Sequence, residues 1–398
     1  MSSDNREKKR ILLQVTLFII TFITTTLAGT QWTHGKSVFA ENFTWSDFVN
    51  GLSFSVPLLL ILTVHEFGHY FMALYHRVKT SLPYYIPIPP IPFLPFSFGT
   101  FGAVIRLRSK PFSNIQTFDI GIAGPLAGFV VALVLLVYGF STLPPAEYVF
   151  QFHPEYEQYG VNYAEHVYSP AFVKQQAAGL DSLGGGIVDI QIGKNLAFLI
   201  AEQFVDDPTR IPNPHELMHY PLLLAVYFAL FVTALNLLPI GQLDGGHVIY
   251  GLFGYKKHSI IASLFFVAIM FYAGVNNPYI QLTLAPGELL FNTSLYILFL
   301  YFAFTGLGLS RRDTIMYVLI VVALQFLMMV VLPSVKGFNE WLILGFLLGR
   351  LVGIQHPPSE IEKPLDPKRV ILGWLTLLIF ILCFTPVPIT IEFILAGD

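Results

Sequence analysis

Charge is what this sequence has least of. Only 12% of its 398 residues are Asp, Glu, Lys or Arg, about half the share of a soluble globular chain. Hydrophobic residues make up 54%, with 37 phenylalanines among them. That balance excludes an ordinary water-soluble domain and places the chain in the membrane class. The formal net charge is −3, and no Lys/Arg-rich face stands out, which excludes nucleic acid as a partner. A single cysteine, Cys383, lies in an apolar run. It allows neither an internal disulfide nor a cysteine-based metal site and reads as a small buried apolar residue. No small-x-small cleavage site follows the basic N-terminal stretch, so Ile11 to Thr30 reads as a retained signal anchor. No Arg/Ser-rich transit peptide is evident. These absences point to a multi-pass integral membrane protein, with a prokaryotic plasma membrane as its expected home. Internal repeats and low-complexity tracts are missing too.

What is present is a series of apolar runs near 20 residues, the length that spans a bilayer as a helix. They cover roughly 11–30, 51–75, 115–140, 219–240, 258–275, 291–309, 313–332 and 370–388, with a shorter run at 340–354. With the N-terminus in the cytosol, only Lys36, Lys174, Lys194, Arg210 and Lys336 of the 22 Lys and Arg residues fall outside. That is the asymmetry of the positive-inside rule. The expected fold is an all-α polytopic membrane protein of about eight transmembrane helices, with a membrane-embedded re-entrant β-hairpin or loop and a small outer-side polar region. Its segments read as a signal-anchor helix and outer loop (1–50), a membrane core (51–140), an outer loop or cap (141–218), a second core segment (219–275) and additional C-terminal helices (276–398).

Two stretches are not spans. Residues 81–110 are apolar, but six prolines between Pro83 and Pro95 forbid a continuous helix. The second half, SFGTFGAVIRLR, has strand character. Irregular backbone at membrane depth needs protein or water around it, so a re-entrant hairpin beside a cavity is expected; a cytosolic Pro-rich loop is the plainer alternative. Residues 141–218 form the one sizeable polar region and carry a Gly184-Gly185-Gly186 turn.

The chemistry lies in VHEFGHY, Val64 to Tyr70. On a helix, His65 and His69 stand one turn apart on one face. That suits two imidazole nitrogens on one tetrahedral zinc, with Glu66 beside them as a base for water. A catalytic zinc takes three protein ligands and keeps one position open. The best third ligand is Asp244 in NLLPIGQLDGGH (Asn236 to His247), an ionisable group at the inner end of an apolar run, where such residues are costly and functional by default. Both segments run from outside to inside in this topology, which brings the three ligands to similar depth. Isolated HExxH patterns do arise by chance, and buried His and Glu can simply pair with each other. Within a span that plainer reading is costly.

The pattern recurs as HELMH, His215 to His219. This copy follows Pro212 and Pro214 at the outer mouth of its span, with no well-placed third ligand, although His153, Glu155 and Asp206 lie on that side. It reads as a polar helix start with Glu216 in a first turn, where negative charge is favourable.

HEFGH, then AGPLAGF (Ala123 to Phe129), then NLLPIGQLDGGH some 170 residues on, closely resembles the site-2 protease family of intramembrane zinc metalloproteases (M50 type). FGTFGAVIRL and FDIGIAGPLAGF are most similar to its PDZ-less, EGY-like branch. The resemblance covers roughly residues 51–255. It implies one Zn²⁺ per chain on His65, His69 and Asp244, Glu66 as general base, and Asn236 bonding substrate backbone. It also implies that the 97–107 region, with Gly99, Thr100, Phe101 and Gly102, pairs as a strand with unwound substrate. The implied reaction is hydrolysis of a peptide bond in or near a transmembrane helix of another membrane protein, within the lipid bilayer. His247 could orient Asp244 or assist an oxyanion, though an interfacial histidine is the plainer reading. Gly124-Pro125 could simply allow close helix packing.

A zinc or proton transporter is the rival from another class, using the same four residues as pathway ligands. It needs further polar groups in the outer half, where Leu58–Leu62 and Leu222–Val232 are almost wholly apolar. A CAAX-type metalloprotease would take Glu as third ligand, against the LDGG context. A catalytically dead relative is disfavoured because the full residue set is present.

Overall fold

The structure, a computed structural model, describes residues 3–91, 97–181 and 187–394. Pro92, Pro95 and the expected glycine turn at 184–186 lie outside the described residues.

Helices dominate. In chain order they are α1 (Ser3–His34), α2 (Trp45–Asn50), α3 (Leu52–Tyr75), α4 (Asn114–Ser141), α5 (Tyr163–Val167), α6 (Pro170–Asp181), α7 (Leu196–Glu202), α8 (Pro221–Asn236), α9 (Asp244–Ala273), α10 (Pro286–Phe304), α11 (Arg311–Val331), α12 (Trp341–Leu347) and α13 (Pro367–Cys383). Four short strands join them: β1 (Tyr84–Pro87), β2 (Thr100–Val104), β3 (Ile187–Ile192) and β4 (Ile389–Ile394). Among the described residues, six helical stretches are long and apolar enough to cross a membrane: Asn5–His34, Trp45–Tyr75, Asn114–Ser141, Asp244–Ala273, Pro286–Leu307 and Arg311–Val331. Two shorter apolar helices, Pro221–Asn236 and Trp341–Val352, accompany them. Their outward faces suit lipid. On α1, Gln14, Thr21, Thr24, Thr25 and Thr26 are buried while Ile11, Leu12, Leu13 and Ile19 are exposed, the reverse of a water-facing helix.

Packing divides the chain into two units. The first comprises Met1–Ser109, Ala123–Leu235 and Ile379–Asp398. Threonines of α1 satisfy their hydroxyls within the helix, as Thr25 does on the Thr21 carbonyl (2.8 Å) and Thr26 on that of Phe22 (2.7 Å), which makes a polar face tolerable in an apolar setting. That face supports a β-hairpin. β1 and β2 pair antiparallel, Tyr84 opposite Val104 and Tyr85 opposite Ala103. Thr24 donates to the Gly99 carbonyl (2.6 Å) and Gln14 to that of Leu82 (2.7 Å). Gly99 is required here: its φ is +83°, and a Cβ would lie 2.3 Å from the Thr25 Cα. The strand character read in SFGTFGAVIRLR therefore has a paired partner in YYIP. Helix α8 is apolar on every side and buried on nearly every side, with Leu224 to Ala229 all inaccessible, as a helix enclosed by others should be. Among the described residues of 141–218, α5, α6 and several 3-10 turns precede β3 and α7 follows it; β3 pairs antiparallel with β4 from Ile187↔Ile394 to Ile192↔Ile389. Helix α13 ends at Cys383, short of the 388 that the apolar run suggested, and β4 follows.

The second unit comprises Lys110–Ile122 and Asn236–Leu378. Gln325 of α11 is buried; it donates to the Met270 and Phe271 carbonyls of α9 (3.1 and 3.0 Å) and accepts from Tyr296 of α10 (3.2 Å). Between apolar helices, where lipid competes equally for apolar contact, such bonds are what holds neighbours together. Asp119 and Arg369 form a bidentate pair (2.8 and 2.7 Å), which joins the start of α4 to the start of α13.

Candidate metal centre

The HEFGH segment lies in the C-terminal half of α3. Its spacing puts His65 and His69 on one face, and both are buried, as is Glu66 (3%, 6% and 5% exposed). The two Nε2 atoms stand 3.1 Å apart. Two nitrogens on one tetrahedral zinc at 2.0–2.1 Å stand roughly 3.3 Å apart, so this pair fits a shared ion.

Small residues on α4 make the burial possible. A Cβ on Gly124 would lie 2.1 Å from the His69 Nε2, and one on Gly128 would lie 3.0 Å from the His65 Cβ. A Cβ on Gly68, inside HEFGH, would meet the Ala123 carbonyl oxygen at 2.5 Å. AGPLAGF is therefore a close-packing surface, and its glycines are seats for the two imidazoles. Sequence reading had the packing but missed the seats.

The hairpin lies against the same helix. Thr63 and Tyr85 share a hydroxyl–hydroxyl hydrogen bond of 2.7 Å, and Leu59 packs with Tyr85 and Ala103. Thr100 is buried, its hydroxyl donating to the Ile86 carbonyl (3.0 Å). Phe101 is 76% exposed. Gly102 has a φ of +91°, and a Cβ there would stand 4.0 Å from the Val232 Cγ1.

Asn236 and Asp244 belong to the second unit. Asn236 closes α8, and Asp244 opens α9 instead of ending the preceding span. An acidic residue in a first helical turn is favoured by the helix dipole. Glycines fold the connection tightly: Gly241 has a φ of +56°, and a Cβ on Gly245 would lie 2.0 Å from the Leu237 carbonyl oxygen. His247 is seated on Gly121, whose Cβ would lie 2.6 Å from its own. Its Nδ1 stands 2.8 Å from the His356 Nε2, and the His356 Nδ1 stands 2.6 Å from the Pro357 carbonyl. A carbonyl only accepts, so His356 donates from Nδ1 and receives the His247 proton at Nε2. No local pattern pointed to His356, which is 109 residues away.

HELMH does not form a helix start. Leu217–His219 is one 3-10 turn, and α8 begins at Pro221. Glu216 is wholly buried. Burial raises its pKa and pushes that of His219 down to about 4.

The Peptidase family M50 profile matches residues 53–276, which take in HEFGH, AGPLAGF and NLLPIGQLDGGH. The chain belongs to Peptidase family M50. Curated relatives point the same way. The chain is 29% identical over 204 residues to "Probable zinc metalloprotease EGY2, chloroplastic" of Oryza sativa subsp. indica, 51% of this chain and 30% of that protein. It is 25% identical over 207 residues to the Arabidopsis thaliana protein of the same name (52% and 30%). It is 28% identical over 205 residues to "Probable zinc metalloprotease EGY1, chloroplastic" of Oryza sativa subsp. japonica (52% and 28%). The matched region is less than a third of the length of these relatives. No solved structure matches the chain.

Proposed function

We propose that this chain is an intramembrane zinc metalloprotease that hydrolyses peptide bonds within or near transmembrane helices of other membrane proteins. The observation that carries the reading is the buried His65–His69 pair, with Glu66 beside it, on a helix of a largely apolar chain. Membership of a peptidase family and relatives named as zinc metalloproteases support it. The transporter reading gains nothing from either.

In this reading one zinc is held by His65, His69 and Asp244. When bound, zinc supplies Lewis-acid polarisation of the scissile carbonyl and lowers the pKa of water in the site. Glu66 takes the proton from water and passes it to the leaving amine. Asn236 holds substrate backbone. A helical peptide bond is shielded by its own hydrogen bonds, so substrate unwinds and lies along Gly99–Gly102 as an added strand. The two-stranded hairpin leaves a backbone edge for that pairing, since β2 has β1 as its partner. His247, oriented by His356, sits in the same helical turn as Asp244 and positions it. Water reaches the site from the cytosolic side, where the basic N-terminus also lies, in a bundle of about eight spans. The curated relatives are chloroplastic by name.

The test uses the purified chain in detergent with a panel of single-span membrane proteins whose apolar segments carry Gly or Pro. Mass spectrometry should place cuts in or beside the apolar segment. Glu66→Gln should abolish them while zinc content stays at the wild-type level. Cleavage at an unchanged rate by Glu66→Gln overturns the assignment.

A further inference from the structure

A second set of ligand-type side chains lies away from HEFGH, where the 141–218 region meets the start of α8. The His153 and His219 Nε2 atoms stand 3.2 Å apart, and the Glu216 Oε2 is 3.7 Å from the first and 3.5 Å from the second. A point equidistant from three atoms so spaced lies about 2.0 Å from each, the length of zinc–nitrogen and zinc–oxygen bonds.

The outer atoms of the same groups are all engaged. The His219 Nδ1 stands 2.9 Å from the Thr33 carbonyl, so it carries the proton and leaves a lone pair on Nε2. The His153 Nδ1 stands 3.3 Å from the Glu155 carboxylate, which fixes that ring in the same sense. Tyr168 donates its phenol to the Glu216 Oε1. The Glu216 Oε2 is buried and makes no hydrogen bond. Three ligand atoms therefore converge, the two imidazole nitrogens 3.2 Å apart and the buried carboxylate oxygen without a hydrogen bond, an arrangement that a cation at their centre satisfies. A partner on the far side of each ligand is also how metal-binding histidines and carboxylates are oriented.

We propose that His153, Glu216 and His219 form a second divalent metal site. Two imidazoles and a carboxylate suit zinc by donor type. Three protein ligands leave a fourth position, and His153 and His219 line a cavity of about 190 Å³ shared with Tyr168, Asp189 and His215. His153 comes from the 141–218 region, Glu216 and His219 from the turn before α8, and the Thr33 carbonyl from the end of α1. A bound ion ties these three segments together. The site is independent of the protease assignment.

The test starts from full-length His65→Ala/His69→Ala protein in detergent, which lacks the HEFGH pair, stripped with chelator and titrated with Co²⁺. One equivalent should bind with visible d–d bands, and one zinc per chain should remain after dialysis against Zn²⁺. Adding His153→Ala or the near-isosteric Glu216→Gln should weaken binding about 100-fold or more, beyond the loss from removing an outer partner. Zn²⁺ should raise the unfolding temperature of the stripped protein and leave that of the Glu216→Gln form unchanged. Absent bands, or bands and thermal shifts that persist in both added variants, overturn the proposal.

Discussion

Gly124→Ala separates a packing role for AGPLAGF from a seat for a metal ligand. The new methyl would stand 2.1 Å from the His69 Nε2. An ordinary contact of about 3.4 Å requires the ring to move by about 1.3 Å. Ligand positions in metal sites tolerate about 0.2 Å, so His69 leaves coordinating range. Overpacking should cost about 1–3 kcal/mol of stability, too little to unfold most domains. Zinc affinity should fall about 100-fold or more, equivalent to about 2.8 kcal/mol. Gly139→Ala on the same helix is the control: its methyl would meet the Leu223 Cδ2 at 2.6 Å, the tip of a side chain that can rotate away. Both variants are compared by competition with a chelating dye for zinc and by thermal unfolding. Wild-type zinc affinity in Gly124→Ala, or equal losses in the two variants, would refute the reasoning.

Gly99→Ala puts a methyl 2.3 Å from the Thr25 Cα at a φ of +83°, so the hairpin should detach from α1; limited proteolysis should cut near residues 97–104 faster than in wild type, and an unchanged pattern counts against the docking. Gln325→Leu removes the bonds to the Met270 and Phe271 carbonyls and to the Tyr296 hydroxyl and should cost about 2 kcal/mol, read as a lower unfolding temperature in detergent. Burial holds the His356 pKa below the ordinary histidine value. The unfolded chain therefore takes up a proton that the fold resists, so stability is full above about pH 6.5 and falls as pH drops below it. His356→Asn should flatten that slope between pH 7.5 and 5.5, and an unchanged slope shows that His356 contributes none of it.

Much of this protein was legible in its sequence because the bilayer leaves few choices. Runs of apolar residues must be helices, and two histidines four apart on a helix must share a face. HEFGH needed only α3 to become a pair of converging nitrogens. The β2 strand was readable as strand character in SFGTFGAVIRLR, a stretch that starts just after the proline-broken segment. Local signals failed where the outcome depended on a distant partner. HELMH looked like a helical motif, yet Pro214 and Pro221 confine it to one 3-10 turn, and its Glu216 and His219 meet His153 instead of acting with His215. His356 reached His247 across 109 residues, and ITIEFI at the chain end found β3 some 200 residues earlier. The glycine seats at Gly124 and Gly128 belong to the same class, since a missing Cβ acquires meaning only when another helix fills its space. Sequence by itself determined which residues could bind metal, because donor chemistry and helical period are local. Tertiary structure decided which of them meet, because convergence of lone pairs is a property of packed backbones.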